Sequence, residues 1–428
     1  MAVDLEAVYT AYVTGQAQTP SLMLAILASH VLPPSREAIH AALADSPLDV
    51  ASVRTRERSP EQPLDVEATV ALPAGPLGAT VTARIGIGPS LHDLGDEVVT
   101  TGVDEATLYA CTELSVWSVA VELGFDGHDP LSALHAQLAI CAAVTPDALA
   151  FLDLDAQRLW PAARARAAAR VPISVPATEI FSIQAVEHRK GPLWLHTHGL
   201  HRCGALELEV LDVAPADADA VEMLLWASAM RFAEQGTPPP YTPFALGPGL
   251  DLAWLPWQDA VEQITVRGHG RPPERDELHR RPSGVLVAAA KGRNGTEFAA
   301  LRVHAAAVRA GVPLYVSFAE VQRRAAAAAH TIGALRDLVA LHGTEDDWGF
   351  SAEVGLPGDD GELAEIVMID LGAVTDAEVA GTLRTAPLVG SMDAVAGSSV
   401  VQPAERVVGW TATGPAGLRI TQDDALYG

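Results

Sequence analysis

Four side chains that can bind metal lie within the eight residues from His196 to Cys203, which run His-Thr-His-Gly-Leu-His-Arg-Cys. Imidazole nitrogen and thiolate sulfur are ligands that zinc prefers in proteins. Because side chains at positions i and i+2 of a strand project on the same side, His196 and His198 are expected to share one face. Gly199 would turn the chain so that His201 or Cys203 swings back towards that face. The spacing predicts either a metal site or a compact polar cluster.

A hydrolytic metal site also needs a carboxylate that takes a proton from the metal-bound water. Asp153 and Asp155, two residues apart at the end of a predicted strand, and Glu207 are the candidates in the sequence. One hypothesis is therefore a metal-dependent hydrolase that uses the three histidines, with Asp153 or Glu207 as the base. Its candidate metal ligands are His196, His198, His201, Cys203 and Asp153.

The same cluster also suits a structural role, which is the interpretation we favour. Histidine pairs at strand ends commonly hydrogen-bond backbone and carboxylate groups, because buried polar groups need partners. Glu207 and Glu209 alternate with apolar residues, as the solvated face of a half-buried strand does. On this interpretation the protein has no cofactor, no metal and no assigned catalytic residue, and the cluster is a binding surface. Its binding residues are His196, Thr197, His198 and Gly199.

Motifs of the common catalytic mechanisms are missing from the sequence. The chain has no GxxxxGKS/T phosphate loop, no GxGxxG after a predicted strand, no GxSxG elbow, no HExxH helix and no paired CxxC. This absence favours a protein that is not an enzyme.

Charge limits the classes of partner. The 428 residues include 54 acidic and 28 basic side chains, for a formal net charge of −26. Such a surface repels phosphate backbones and anionic lipid heads, so we expect neither nucleic-acid nor membrane binding. A basic protein partner is compatible with this charge, but solubility alone also accounts for an acidic surface.

Cysteine usage and the first residues predict a cytoplasmic protein. Cys111, Cys141 and Cys203 are too few and too scattered for a disulfide framework, which fits a reducing compartment. The N-terminal segment carries Asp4 and Glu6 and no basic region, so it does not resemble a secretory signal. The longest apolar runs fall short of the roughly 18 residues that a membrane span needs.

The elements that must position the cluster predict an α+β fold of two domains, with mixed or antiparallel sheets and packed helices. The cluster lies between strands predicted at 193–198 and 206–213, so a hairpin is expected to hold it. A strand at 179–186 precedes the hairpin, and an amphipathic helix at 216–234 follows it. The other elements predicted up to residue 265 are helices at 4–14, 35–43, from Asp129-Pro130 onwards and at 156–170, strands at 21–32, 50–56, 64–72, 79–87 and 148–154, a helix then a strand within 104–125, and an irregular segment at 237–260.

A change of composition marks the predicted domain boundary. Residues 266–284 are rich in Arg, Pro and Gly and lack an apolar period, which predicts an exposed linker between domains at 1–265 and 285–428. The second domain opens with a hairpin around Asn294-Gly295, a strong turn signal. A helix at 317–341 and strands at 348–355, 363–370, 379–385 and 398–402 complete its predicted elements.

The segment 193–209, Leu-Trp-Leu-His-Thr-His-Gly-Leu-His-Arg-Cys-Gly-Ala-Leu-Glu-Leu-Glu, contains a THGL turn followed by a Gly-x-x-Glu-Leu-Glu strand. This pattern resembles the hallmark of domain-of-unknown-function family 4026. The segments 20–26, Pro-Ser-Leu-Met-Leu-Ala-Ile, and 146–153, Pro-Asp-Ala-Leu-Ala-Phe-Leu-Asp, fit the opening and the middle of the same family. The resemblance covers most of 15–260 and implies no reaction.

Short elements of the C-terminal part follow a second pattern. They are Trp348-Gly-Phe350, Gly381-Thr-Leu383, Pro387, Gly397, Val400, Pro403 and Gly409-Trp410. This part is similar to domain-of-unknown-function family 2314, also called YegJ-like, although residues 364–369 keep only the glutamate of the family's usual Glu-His-x-Trp element. The resemblance implies a small barrel-like α+β domain. It adds Trp348 and Trp410 as binding candidates, and we expect Trp410 to be buried against the sheet that includes Val379 to Leu383.

Together these features favour a non-catalytic binding or regulatory protein, of accessory or immunity type, with an unidentified protein partner. The metal-dependent hydrolase is the alternative. Elemental analysis of protein purified without an affinity tag distinguishes the two classes.

Overall fold

The structure is a computed structural model, which describes residues 5–427 apart from short gaps. The gaps are residues 18, 47, 56–63, 72–79, 92–93, 95–97, 101, 126–128, 188–190, 265, 267, 272–274, 276–281, 294, 358–362 and 388–393. The described residues confirm the predicted α+β class, with helices packed on three mostly antiparallel sheets. None of the helices in this part combines the length and the apolarity that crossing a bilayer requires.

The chain forms two compact units. The first comprises Met1–Ala169 and Ala177–Ser317, and it contains two of the three sheets. The second comprises Arg170–Pro176 and Phe318–Gly428, and it contains the third sheet. Each unit therefore has its own sheet structure and its own buried core.

The boundary between these units differs from the linker predicted at 266–284. That stretch lies inside the first unit, because the strand Ser283–Gly292 that follows it is a central strand of the unit's second sheet. Within the stretch, residues 267, 272–274 and 276–281 lie outside the described residues. Arg275, which is described, is buried. An abrupt change of composition can thus occur within a folded unit when its polar residues find buried partners.

The first sheet is antiparallel between all its neighbouring strands. Its strands are β1 (Ser21–Leu27), β2 (Val50–Thr55), β3 (Leu64–Ala71), β4 (Thr80–Pro89), β5 (Trp117–Leu123), β6 (Ala148–Asp153) and β7 (Arg158–Pro161). Their order across the sheet is β2-β3-β4-β5-β1-β6-β7. Because β1 is interior, its side chains are apolar on both faces, with Met23 and Ala25 on one and Leu24 and Ile26 on the other.

The second sheet carries the histidine cluster and is mixed. Its strands are β8 (Ser182–Glu187), β9 (Leu193–His198), β10 (Glu207–Val213), β11 (Phe244–Gly247), β12 (Leu250–Pro256), β13 (Ser283–Gly292) and β14 (Gly295–Ala299). Their order is β11-β12-β13-β10-β9-β8, and β14 pairs with β13. β10 and β13 run parallel, with Glu207 opposite Ser283, whereas the other named pairings of this sheet are antiparallel.

The α-helices described in the first unit are α1 (Leu5–Val13), α2 (Arg36–Ala44), α3 (Glu105–Tyr109), α4 (Pro130–Val144), α5 (Ala162–Arg170), α6 (Ala218–Gln235), α7 (Trp257–Gln263) and α8 (Ala305–Arg309). Of these, α2 and α4 lie against the first sheet, and α6 and α7 lie against the second. α4 is buried along almost its whole length, and its start is confirmed, because the Asp129 side chain accepts the N–H of Ser132 at 3.2 Å.

The second unit is an open six-stranded antiparallel sheet with a long helix. Its elements are α9 (Phe318–His342), β15 (Gly349–Pro357), β16 (Leu363–Val374), β17 (Glu378–Leu383), β18 (Ser399–Pro403), β19 (Val407–Thr413), β20 (Arg419–Thr421) and α10 (Gln422–Tyr427). The order is β18-β17-β16-β15-β19-β20. Over the described residues β18 and β20 are the two edges, so the barrel-like shape expected for this part is not a closed barrel. α9 lies against β16 and β19.

Two segments of the first unit differ from their predicted secondary structure. The segment 237–260 is not irregular, because β11, β12 and α7 form there around the fully buried Trp254. Prolines at the two ends obscured the alternation of Leu250, Leu252 and Trp254 in the sequence. The predicted helix at 156–170 starts later, because its first residues form β7 and pair with β6.

Candidate functional site

The predicted hairpin around the histidine cluster is present, and its turn requires glycine. β9 and β10 pair antiparallel. After β9, Gly199 has a φ of +114°, and a Cβ there would lie 2.9 Å from the carbonyl oxygen of Ile180. The 3-10 turn Leu200–Cys203 follows, and Gly204 ends it with a φ of +72°. The turn thereby returns His201 to the start of β10.

The carboxylate of Glu207 is the acceptor around which this turn folds. Its Oε1 accepts the N–H of Gly199 at 2.9 Å, the N–H of His201 at 3.2 Å and the ring Nδ1 of His201 at 2.7 Å. Its Oε2 accepts the hydroxyl of Thr197 at 2.7 Å, while the Thr197 oxygen accepts the N–H of Leu208 at 2.9 Å. Glu207 is therefore a buried structural acceptor and not the wet carboxylate that the sequence pattern predicted.

His201 bridges two carboxylates. Its Nδ1 lies 2.7 Å from Glu207 Oε1, and its Nε2 lies 2.7 Å from Asp155 Oδ1. An ionised carboxylate only accepts hydrogen bonds, so both ring nitrogens must carry a proton and the side chain is an imidazolium. Asp155 is held in turn by the N–H of Leu22 on β1, at 2.7 Å from Oδ2. We call Asp155, His201 and Glu207 the charged triad.

The pKa values of the charged triad shift in the directions that this arrangement requires. Burial alone lowers the pKa of His201, but the hydrogen bonds and charges of Asp155 and Glu207 outweigh it and raise that pKa above its ordinary 6.5. Burial alone raises the pKa of Asp155 and of Glu207, but the His201 imidazolium outweighs it and lowers both. The hydrogen bonds and opposite charges within the triad therefore favour the charged form of each of the three groups.

The stability of the first unit is expected to depend on pH through this triad. The contribution of His201 is complete below pH 6.5 and is lost as the pH rises through its raised folded pKa. The contributions of Asp155 and Glu207 are present above their ordinary pKa values of 3.8 and 4.5, and they are lost as the pH falls through the lowered folded values. Urea unfolding midpoints measured from about pH 5 to 9 should thus fall on the alkaline side.

A substitution isolates His201 from the other titrating groups. His201→Gln is expected to be less stable overall and to lose the part of the alkaline decline that the triad causes. His330→Gln, at an exposed position on α9, is the matched control and should keep the decline. An equal alkaline decline in wild type and His201→Gln would show that His201 is not held as an imidazolium.

A second buried ion pair joins the turn to the first sheet. Arg202 and Asp153 are both fully buried, and Nη1 of Arg202 lies 2.8 Å from Oδ2 of Asp153 and 3.1 Å from the hydroxyl of Ser21. Nη2 of Arg202 donates to the carbonyl oxygen of Ile180, and the guanidinium lies 5.0 Å from the ring centre of Phe125. The pair connects β6 and β1 to the hairpin of the second sheet.

Glu209 lies at the centre of a third network. Both of its carboxylate oxygens lie 2.8 Å from Nη2 of Arg275, and they also accept the indole N–H of Trp194 at 2.7 Å and the hydroxyl of Ser283 at 2.5 Å. The Arg275 guanidinium lies 5.2 Å from the Trp194 ring and 4.3 Å from the Trp257 ring. This network fixes β10 against β9 and β13.

A cavity of about 150 Å³ lies between the charged triad and the Glu209 network. His196 and His198 form one wall, with their ring centres 4.8 Å apart, and the Trp194 ring lies 4.6 Å from His196. The full lining is Leu154, Asp155, Gln157, Trp194, His196, Thr197, His198, His201, Glu207, Leu208, Glu209, Arg275 and Ser283. We call this cavity the histidine pocket.

The metal ligands proposed from the sequence do not converge. His201 has no lone pair to offer, because both of its ring nitrogens donate to carboxylates. Asp153 is bonded to Arg202, and burial raises the pKa of the Cys203 thiol to about 12, which keeps it protonated. Among the described residues, no three His, Cys, Asp or Glu side chains form a group that fits a metal ion. His196 and His198 do lie together, as predicted.

The two tryptophans proposed as binding residues belong to the second unit. Trp410 is 2% exposed, and it packs as expected in that unit's core, in the same buried cluster as Val379 and Leu383. Trp348 is partly buried and stacks between His342, at 4.2 Å between ring centres, and Phe350, at 5.9 Å.

Several residues of the site were missed in the sequence. The spacing of the cluster does not single out Arg202, and the composition around Arg275 predicts an exposed linker. Arg275 and Ser283 reach Glu209 from 66 and 74 residues away, so no local spacing could indicate either contact. The Gly-Leu-His-Arg sequence after β9 is the one local signal that a turn returns polar side chains to the sheet.

Comparison with known proteins supports part of the resemblance found in the sequence. Residues 180–287 match the model of a family described as "Protein of unknown function (DUF4026) C-terminal". No curated protein and no solved structure is significantly similar to the chain. The matched segment runs from the start of the second sheet into β13 and contains most of the histidine pocket. The part of the chain that builds this pocket is thus similar to the C-terminal domain of that family.

Proposed function

We propose that the protein is a non-catalytic binding protein whose ligand enters the histidine pocket. The observation that carries the proposal is that the charged groups around the pocket are bonded to one another. Asp155 and Glu207 hold His201, and Glu209 holds Arg275. These pairs form a rigid frame, and the imidazoles of His196 and His198 line the space that the frame encloses.

A rigid frame of this kind suits recognition better than catalysis. A general base needs a lone pair directed at the substrate, whereas Glu207 already accepts four hydrogen bonds and His201 has only donors. Fixed polar groups around a small concave space are typical of ligand sites, where they set orientation and specificity.

The charges of the lining favour a ligand that donates hydrogen bonds. Three carboxylates, Asp155, Glu207 and Glu209, face two cations, His201 and Arg275, so the lining carries one net negative charge. Amides and ammonium groups fit that charge better than oxyanions do. We propose a small polar ligand with N–H donors.

The wider role that we propose is regulatory or of immunity type, with a protein partner yet to be identified. Its support is the resemblance of 285–428 to the YegJ-like family and of 20–26 and 146–153 to the N-terminal part of family 4026, both of which stay predictions. A cytoplasmic location belongs to the same proposal.

One thermal-melting experiment on tag-free protein tests the proposed function. Glycinamide and ethylammonium, as N–H donor probes, are expected to raise the melting temperature of wild type, because a ligand that binds only the folded state stabilises it. EDTA is expected to leave the melting temperature unchanged, and elemental analysis should find zinc in fewer than about a tenth of the molecules.

His198→Phe should abolish the stabilisation by the probes, and His330→Phe, at an exposed position, should keep it. Two results count against the proposal. If neither probe stabilises wild type, the pocket is not a site for N–H donors. Near-stoichiometric zinc, with a fall in melting temperature on chelation and recovery on adding zinc back, would instead support the metal-dependent hydrolase.

A further inference from the structure

A second cavity, of about 230 Å³, lies in the first unit away from the histidine pocket. Its walls come from β7, from the first turn of α5 and from the 3-10 turn Ala177–Glu179. The side chains that matter for its chemistry are Arg158, Arg164, Trp160 and Glu179. Among the described residues that line the cavity, Glu179 is the only acidic one, whereas acidic residues outnumber basic ones in the chain as a whole.

Over the described residues, the side chains that line the cavity carry a net positive charge. Arg158 and Arg164 both bond to the buried Glu179, Arg164 through Nη2 at 2.7 Å from Oε1 and Arg158 through Nη1 to Oε2. Two guanidinium groups against one carboxylate leave one positive charge. The whole chain has a formal net charge of −26, so a cationic cavity differs in sign from the average charge of the protein surface.

Arg158 and Arg164 differ in their hydrogen bonds and in their exposure. Arg158 also donates to the carbonyl oxygens of Thr178, at 2.9 Å, and of Phe181, at 3.4 Å, so its donors are committed to holding Glu179 and the backbone. Arg164 bonds to Glu179 through Nη2, and its side chain is 42% exposed. Arg158 thus compensates Glu179, and Arg164 has guanidinium donors that can reach a ligand.

Trp160 supplies an independent observation that points to an acceptor. It is 2% exposed, and its indole Nε1 is buried with no hydrogen-bond partner among the described residues. An indole N–H can only donate, and a buried donor without an acceptor is costly. The Arg164 guanidinium lies 5.6 Å from the centre of the Trp160 ring, and both residues line the cavity.

The helix beside the cavity adds to the same polarity. α5 is nine residues long and begins at Ala162, directly after Pro161 of the cavity wall. The first turn of a helix has backbone N–H groups without helical acceptors and carries a partial positive charge. A carboxylate or another oxyanion is the acceptor that suits all of these donors.

We propose that this cavity binds the carboxylate group of a small organic anion. Arg164 donates charge-assisted hydrogen bonds to the carboxylate, Trp160 donates its indole N–H, and Arg158 screens Glu179. A single net positive charge matches a monoanion, whereas a phosphate dianion would retain uncompensated charge beside Glu179. This site is independent of the histidine pocket and of the function proposed for it.

Indole N–H resonances of the full chain test this proposal directly. Acetate and inorganic phosphate are titrated at constant ionic strength into ¹⁵N-labelled protein, with chloride as the balancing salt. The Trp160 resonance is assigned by its disappearance in Trp160→Phe. It is expected to move downfield and to saturate with acetate, as an indole N–H that gains a charged acceptor should.

Variants on one helix separate a built site from general charge. Arg164→Gln removes the ligand contact and leaves Glu179 paired with Arg158, and it should weaken acetate binding by about tenfold. Arg166→Gln removes the same charge from α5 at a side chain that bonds to the carbonyl oxygens of Pro146 and Ala148, outside the cavity lining, and it should change binding less than about twofold.

Three outcomes overturn the proposal. One is a Trp160 resonance that does not respond saturably to acetate. Another is a response to phosphate alone, which reassigns the ligand. The third is an equal weakening of acetate binding in Arg164→Gln and Arg166→Gln, which would mean that long-range electrostatics alone accounts for the binding. If Trp160→Phe fails to fold, the acetate affinities of the two arginine variants decide the matter by themselves.

Discussion

Arg202→Met is expected to destabilise the first unit by about 3 to 5 kcal/mol, because it leaves the carboxylate of Asp153 buried without its cation. Both side chains are fully buried, so water cannot replace the lost partner. The substitution also removes the donors that Ser21 and the carbonyl oxygen of Ile180 receive from Arg202. Methionine retains much of the length of the side chain, so the cost reflects charge more than an empty space.

Urea unfolding of the first unit measures this cost, and a matched pair calibrates it. Arg84→Met removes an arginine that pairs with Glu122 at 3.0 Å where the side chains are 43% and 28% exposed, and it should cost less than about 1 kcal/mol. The double variant Arg202→Met/Asp153→Leu should recover part of the loss, because it no longer buries a lone charge. A cost for Arg202→Met as small as that for Arg84→Met would refute the buried-pair account.

Trp410→Ala is expected to destabilise the second unit by about 3 to 5 kcal/mol. The side chain is 2% exposed and fills the core between α9 and the sheet, and its indole N–H donates to the hydroxyl of Thr331 at 3.0 Å. Removing it leaves a large cavity in the core between α9 and β19, which the surrounding backbone cannot close.

Denaturation followed by a probe in the second unit tests this prediction. Leu341→Ala, at a position on α9 that is 68% exposed, should shift stability by less than about 0.5 kcal/mol and serves as the control. An unfolding midpoint for Trp410→Ala within error of wild type would mean that the tryptophan is not in the core. That result would support the binding role predicted for Trp410 from the sequence.

The sequence predicted the local parts of the fold well and the distant contacts poorly. β9, β10, α6 and α9 are near their predicted positions, because each has a clear apolar period and clear turn residues at its ends. The strands missed at 244–256 have prolines at or near their ends, which hid a regular alternation of buried side chains. Local periodicity decides where an element lies, but it does not decide which elements pair.

In the candidate site, too, the local features were predictable from the sequence and the long-range contacts were not. The spacing of His196 and His198 correctly placed both on one wall, because strand alternation is a local property. The role of His201 was not predictable, because it depends on Asp155, which lies 46 residues earlier in the chain. The burial of Glu209 depends on Arg275, and nothing in the sequence near Arg275 indicates a buried partner. Ion pairs between residues that are far apart in the sequence produce no periodic pattern in it.

The parallel pairing of β10 with β13 also sets an order for folding during synthesis on the ribosome. Glu209 is translated 66 residues before Arg275 and 74 residues before Ser283, and Tyr9 hydrogen-bonds to the carbonyl oxygen of Ser283 from 274 residues away. Until Ser283–Gly292 has emerged, the hairpin lacks the neighbouring strand and Glu209 lacks its guanidinium. A nascent chain that stops near residue 265 therefore cannot complete the second sheet. Contacts between such distant residues form slowly, so the unpaired edge of β10 is exposed to chaperones and to other chains during that interval.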